Sequence, residues 1–250
     1  PTTTGGLKAY YQQYGSQADN YQIELIHFKN EDAILRWQQS WQETYLPAIK
    51  AAEQAGQQAI IGFSMYTWNA AEFLDLIHQI KAQCPNVPHV QQAEDYLGED
   101  PIDIIILGEG ETSFQEILDK PQRIHWPNIN GIAYLENGDI HKTPERQRRK
   151  YLDELPSALD VIDLCDAEGK PLYDSISYET SRGCPFKCAF CEWGTGAIGS
   201  KMYQFSMDRV RSDWHKIVNA GIKDIWLADS NFGALKEDLE KAQLICELKE

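Results

Sequence analysis

The chain has 250 residues, 42% of them apolar and 24% charged, the balance of a globular protein with one large domain or two modest ones. Its 23 Lys and Arg against 38 Asp and Glu give a formal charge of −15, which argues against a nonspecific grip on a phosphate backbone and hence against nucleic acid. No apolar run approaches the length of a membrane-spanning helix, and six unevenly spread cysteines, three of them within eight positions, suit a metal site in a reducing cytoplasm.

The first 120 or so residues alternate strand-like and helix-like segments, the pattern of a parallel sheet flanked by helices. Residues 3–14 read as a helix with no strand before it, although a doubly wound domain opens on one, so its first strand is expected to be missing. Strands are expected at residues 22–27, 59–63, 87–90 and 102–107, short apolar runs of the kind buried on both faces. A crossover helix is expected from Ala70, capped by Asn69, with Phe73, Leu76, Ile77 and Ile80 on one stripe. The sequence Glu136-Asn137-Gly138-Asp139 marks a tight hairpin that closes a first domain over residues 1–141. Residues 142–172, charged and holding Pro144, Pro156 and Pro171, are expected to be a linker, its basic run Arg146, Arg148, Arg149 and Lys150 a solvated face.

A second region, residues 173–250, opens on a strand at 175–180 that leads into the cysteines. A helix is expected from Ser206, with Val210, Trp214, Ile217 and Val218 on one face and Gly221 as its stop. A strand at 225–228, a loop at 229–233 and a last helix complete a βαβα run, the start of an α/β barrel or open sheet that the chain does not finish.

In Cys184-Pro185-Phe186-Lys187-Cys188-Ala189-Phe190-Cys191, three thiolates share one loop where a strand ends. A structural zinc site requires a fourth Cys or His, and no second pair stands out; Cys84, Cys165 and Cys246 read as plain thiols. An iron–sulfur cluster bound by three thiolates keeps one iron open. The spacing, three residues and then two with an aromatic before the last Cys, resembles the signature of the radical S-adenosylmethionine (SAM) enzymes. The resemblance implies that Cys184, Cys188 and Cys191 ligate a [4Fe-4S] cluster, that S-adenosyl-L-methionine chelates its open iron, and that Phe190 lies at the adenine, chiefly through its backbone. Trp193 and Gly194 extend the motif, Trp193 being either core or the floor of a pocket. Asp229 and Asn231, at the end of the next strand, either hold the ribose or amino group of SAM or form a turn capping the next helix.

In the first region, Ser64-Met65-Tyr66-Thr67-Trp68-Asn69 and Gly108-Glu109-Gly110-Glu111 both follow strands, where open α/β sheets bind ligands. With Gly131-Ile132-Ala133-Tyr134 and the cysteine region behind them, they resemble the cobalamin-dependent radical SAM family. The implied fold is α/β: a Rossmann-like doubly wound cobalamin-binding domain, then the start of a partial (β/α) radical SAM barrel. Ser64, Met65, Tyr66, Trp68 and Asn69 are then expected beneath the corrin or beside its nucleotide tail, with Gly108, Glu109, Gly110 and Glu111 at a neighbouring strand end. Two departures stand out. No Asp-x-His-x-x-Gly loop precedes Ser64, so a protein histidine is not expected on cobalt, and Val90 is followed by Gln91-Gln92-Ala93 where the family places a Gly-Gly pair.

The resemblance implies an enzyme that methylates an unactivated carbon of a small-molecule or natural-product substrate, through a 5′-deoxyadenosyl radical and methylcobalamin. An external one-electron donor such as flavodoxin or ferredoxin is implied with it. A non-methylating rearrangement or cyclisation by the same cofactors is one alternative; a corrinoid- or zinc-binding module without catalysis is another.

Overall fold

A computed structural model describes residues 2–27, 37–64, 70–86, 88–91, 102–191 and 201–248. They fall into two compact units, residues 26–146 and residues 1–25 with 147–250.

In the first unit, strands β1 (Ile61–Phe63), β2 (His89–Gln91), β3 (Ile104–Ile106), β4 (Ile132–Glu136) and β5 (Asp139–Lys142) lie side by side in chain order. The first three run parallel; β4 and β5 are antiparallel. Every side chain of β3 is buried, which is why its sequence is an unbroken apolar run. The hairpin between β4 and β5 turns at Asn137 and Gly138, with φ of 53° and 87°, the pair of positive angles that matches strand twist. The expected doubly wound order is not seen among the described residues, where the strands follow in sequence with no reversal. The mixed α/β character stands. A helical stretch unassigned in the sequence precedes β1: residues 37–40, a π-helical turn (Trp41–Tyr45) and the helix Leu46–Gln54. Trp37, Trp41 and Leu46 pack there with Leu76 and Ile80 of the crossover helix (Ala70–Gln83). The proposed cap of that helix, Asn69, lies outside the described residues.

In the second unit, helix α1 (Thr2–Tyr14) packs where a linker had been expected. Gly5 lies so close to the 3-10 turn Ala158–Asp160 that a Cβ there would sit 2.7 Å from Ile162 Cγ2. Tyr14 Oη donates to the Glu154 carbonyl at 2.9 Å, and Arg149 donates to Tyr10 Oη at 2.8 Å. The two units are thus bounded at 26–146 and at 1–25 with 147–250, where the sequence suggests a domain over 1–141 and a linker over 142–172. Leu152, Leu155, Leu159 and Ile162 sit in the core of this unit, because their apolar side chains find the inner face of the strand pair. Residues 22–27 form no strand and have no regular secondary structure.

That strand pair is β6 (Ser175–Tyr178) and β9 (Asp224–Leu227), parallel, with Ser177 opposite Trp226. Helix α5 (Met207–Asn219) precedes β9, with Ser206 Oγ capping the Arg209 N–H at 3.2 Å. Its Val210, Trp214 and Ile217 are buried, one helical face, while Val218, expected beside them, is 38% exposed because it lies at the edge of that face, about a fifth of a turn from its centre. The helix stops at Gly221, φ 77°. A buried carboxylate joins these parts. Asp213 accepts from Ser157 Oγ at 2.8 Å, Tyr178 Oη at 3.0 Å, Arg209 Nε at 2.7 Å and Lys216 Nζ at 3.2 Å. Burial and the Asp213 charge push the Tyr178 hydroxyl well up, so it remains a donor. The last helix, α6, spans Asp238–Glu247. No helix of the described residues is long and apolar enough to cross a membrane.

Candidate functional site

Just beyond β6 the chain makes a short strand β7 (Ser181–Arg182), which pairs antiparallel with β8 (Tyr203–Gln204), an element the sequence did not suggest. The three cysteines lie in the excursion between these strands. The rung Arg182–Tyr203 forms its neck. Gly183, φ 103°, leads into it, in backbone that a side chain disfavours, and a Cβ there would collide with the Lys201 carbonyl oxygen.

All three cysteines are free thiols: Cys184 buried, Cys191 partly buried and Cys188 exposed. A turn links the last two, with the Cys191 N–H donating to the Cys188 carbonyl at 3.1 Å. Among the described residues no group of three His, Cys, Asp or Glu side chains converges as metal ligands. The donor set fits an iron–sulfur cluster in kind, since thiolates are its usual ligands. Phe190 is 95% exposed.

The base of the excursion is a network of polar side chains. Asp229, after β9, accepts from the backbone N–H groups of Thr180 and Ser181 at 2.6 and 3.1 Å, from Ser181 Oγ at 3.1 Å and from Thr180 Oγ1. Four donors fill its acceptor capacity. Asp229, expected either to hold the ribose or amino group of SAM or to form a helix-capping turn, ties the end of β9 to the strand entering the cysteines through its carboxylate. Behind it, Lys241 is 0% exposed and donates to Thr180 Oγ1 at 3.0 Å, Asp238 Oδ1 at 2.8 Å and Gln204 Oε1 at 3.4 Å. Burial alone would raise the Asp238 carboxyl, but Lys241 and the N–H groups of Leu235 and Gly233 outweigh it and hold it below the usual carboxylate range. Sequence reasoning missed Lys241 and Asp238, because an Asp three residues before a Lys on a helix reads as an exposed ion pair. Asn231 is partly buried in the loop after β9.

In the first unit, Ser64 follows β1 and Gly108 to Glu111 follow β3; since β1, β2 and β3 are parallel, both segments lie at the same, carboxyl-end edge of the sheet. Gly108 has φ 72°, and buried Gly110 opens the helix Glu111–Asp119. Met65, Tyr66, Trp68, Asn69, Trp193 and Gly194 lie outside the described residues, as do Gln92 and Ala93.

The chain matches no protein-family model. It is 27% identical over 219 residues, 81% of its length, to the cobalamin-dependent radical SAM methyltransferase TokK of Streptomyces tokunonensis, of which the match covers 32%. It is 27% identical over 205 residues, 76% of its length and 30% of the relative's, to a 2-(S-pantetheinyl)-carbapenam-3-carboxylate methyltransferase of Streptantibioticus cattleyicolor. The chain thus spans about a third of the length of these curated relatives. Its fold is similar to that of a solved apo structure of the cobalamin-dependent S-adenosylmethionine radical enzyme OxsB, with a TM-score of 0.63 at 22% identity over 99% of this chain and 34% of that one.

Proposed function

We propose, from the premise that this chain belongs with the cobalamin-dependent radical SAM methyltransferases its sequence resembles, that it is part of an enzyme methylating an unactivated carbon of a small molecule. The observation that carries the reading is the set of three free thiols in one excursion, anchored by a buried polar base at the ends of parallel strands. Cys184, Cys188 and Cys191 would hold a [4Fe-4S] cluster. Bound there, a three-thiolate cluster supplies an open iron and an electron for cleaving S-adenosyl-L-methionine, while cobalamin carries the methyl group.

The chain's own residues orient and shield. Asp229, Thr180, Ser181 and Lys241 fix the strand from which the excursion leaves, so the sulfurs are delivered from a rigid platform. Asn231 and the backbone at Phe190 would serve SAM, as would Trp193 and Gly194. Ser64 to Asn69 and Gly108 to Glu111 offer the sheet edge for a corrinoid, Gly108 and Gly110 allowing close backbone approach. No histidine is assigned to cobalt. Asp139-Ile140-His141, which has the Asp-x-His spacing but no glycine three residues on, is an exposed strand in a hairpin, and His141 stacks on Tyr134 with ring centroids 5.5 Å apart. A natural-product substrate follows the relative named for a carbapenam. A soluble one-electron donor of the flavodoxin or ferredoxin class and a reducing cytoplasm suit the thiols.

The test is anaerobic reconstitution of the full-length protein with iron, sulfide and cobalamin, then addition of reductant and S-adenosyl-L-methionine. Formation of 5′-deoxyadenosine is expected, with methylcobalamin consumed when substrate is present. A verified cluster-loaded sample that releases no 5′-deoxyadenosine contradicts the reading.

A further inference from the structure

The basic run at residues 146–150, expected to be a solvated face, is divided among structural tasks. Arg146 pairs with Glu116 at 2.5 Å within its own unit, and Arg149 pairs with Glu154 at 2.7 Å. Arg148 goes to the neck of the cysteine excursion. Its Nη1 donates to the Lys201 carbonyl at 2.8 Å, and its guanidinium lies over the Tyr203 ring, 5.2 Å from the centroid. On the other side, a Cβ built on Gly183 would be 3.1 Å from Arg148 Nη1 and 3.2 Å from Nη2. One planar cation therefore contacts the residues on return into β8 and fills the space a side chain would take at Gly183, the residue before Cys184.

We propose that Arg148 is a positioning residue for the cysteine excursion, a clamp that closes its neck and keeps Cys184 buried before any cluster is bound. The inference rests on the reading of these cysteines as cluster ligands. A guanidinium suits the task because its fork donates to a carbonyl while its flat face stacks on an aromatic ring and against a glycine backbone. A lysine can make the hydrogen bond and not the stack. The requirement for glycine at 183 follows as well, since any side chain there would meet the Lys201 carbonyl and displace the clamp.

The test uses the full-length protein without iron, with Arg148→Ala and Arg148→Lys, pulsed with iodoacetamide and read peptide by peptide by mass spectrometry. Cys184 is expected to label about tenfold faster in Arg148→Ala, as when a charged hydrogen bond restraining a local opening is removed, with partial protection in Arg148→Lys. Cys165, in the same unit with its thiol donating to the Ala220 carbonyl at 3.5 Å, serves as the standard and should not change. An unchanged Cys184 rate, or equal acceleration of Cys184 and Cys165, overturns the clamp. Should Arg148→Ala fail to fold, Arg148→Lys against wild type carries the same comparison with the same deciding outcomes. The labelling does not depend on a cluster. Wild-type protein that takes up no iron and sulfide would therefore sink the cofactor reading while the clamp is still judged on its own result.

Discussion

Lys241 shows how a single buried charge can organise a site it never touches. With its side chain 0% exposed and its partner Asp238 at 4%, it sits where an unpaired ammonium would be costly. It offsets that cost by binding Asp238 and Thr180, and through Thr180 it braces Asp229. Lys241→Met should destabilise this unit by about 3–5 kcal/mol in urea unfolding at neutral pH, the range for breaking a buried pair from one side. The pH dependence gives a second check. The Asp238 carboxyl is held low in the fold, so its stabilisation is present above the unfolded-state value of about 3.9 and is lost as pH falls through the folded-state value. In Lys241→Met burial is no longer outweighed by the lysine, and protonating Asp238 then relieves the fold. The stability gap between the two proteins should narrow between pH 7 and pH 3; a gap that stays constant would show that the pair is not what holds the helix.

Among the elements, α5 is the one whose start, stop and buried face are all written locally. Ser206 at its N-cap accepts the Arg209 N–H, and Ser206→Ala should cost about 1 kcal/mol, read as a lower urea midpoint with an unchanged slope. An unchanged midpoint would mean that the Ser206 backbone contact with Asp153, 2.9 Å, carries the cap alone. The hairpin at Asn137 and Gly138 and the apolar run of β3 were legible for the same reason: periodicity and turn chemistry act over a few residues. β8 was not, because a two-residue strand has no pattern of its own and exists only through its partner β7. The cysteine spacing was visible at once, whereas the roles of Asp229, Lys241 and Arg148 were hidden. Each depends on a partner tens of residues away, and from sequence an Asp after a strand looks the same whether it faces a ligand or a neighbouring backbone.

At the scale of the molecule, the division into units departs from chain order. Helix α1 is separated in sequence from residues 147–250 by an entire unit, yet its Ala9, Tyr10 and Tyr11 are buried at 3%, 6% and 0%, Tyr10 in the core it shares with Trp214. Nothing local signals this, since α1 reads equally well as the opening of the domain that follows it. Removing residues 2–14 should therefore weaken hydrogen-exchange protection in β6 and α5 and leave β3 as it was, by several kcal/mol if each buried tyrosine is worth about 1.5–3 kcal/mol. Loss of protection in β3 instead would return α1 to the first unit.

The central claim is that Cys184, Cys188 and Cys191 leave one iron of a cluster without a protein thiolate. Mössbauer spectroscopy of the ⁵⁷Fe-reconstituted full-length protein, with and without S-adenosyl-L-methionine, tests it most directly. The expected spectrum has one iron distinct from the other three, and its parameters move when S-adenosyl-L-methionine is added. Four equivalent irons indifferent to S-adenosyl-L-methionine, or a protein that holds zinc in place of iron, would contradict the claim.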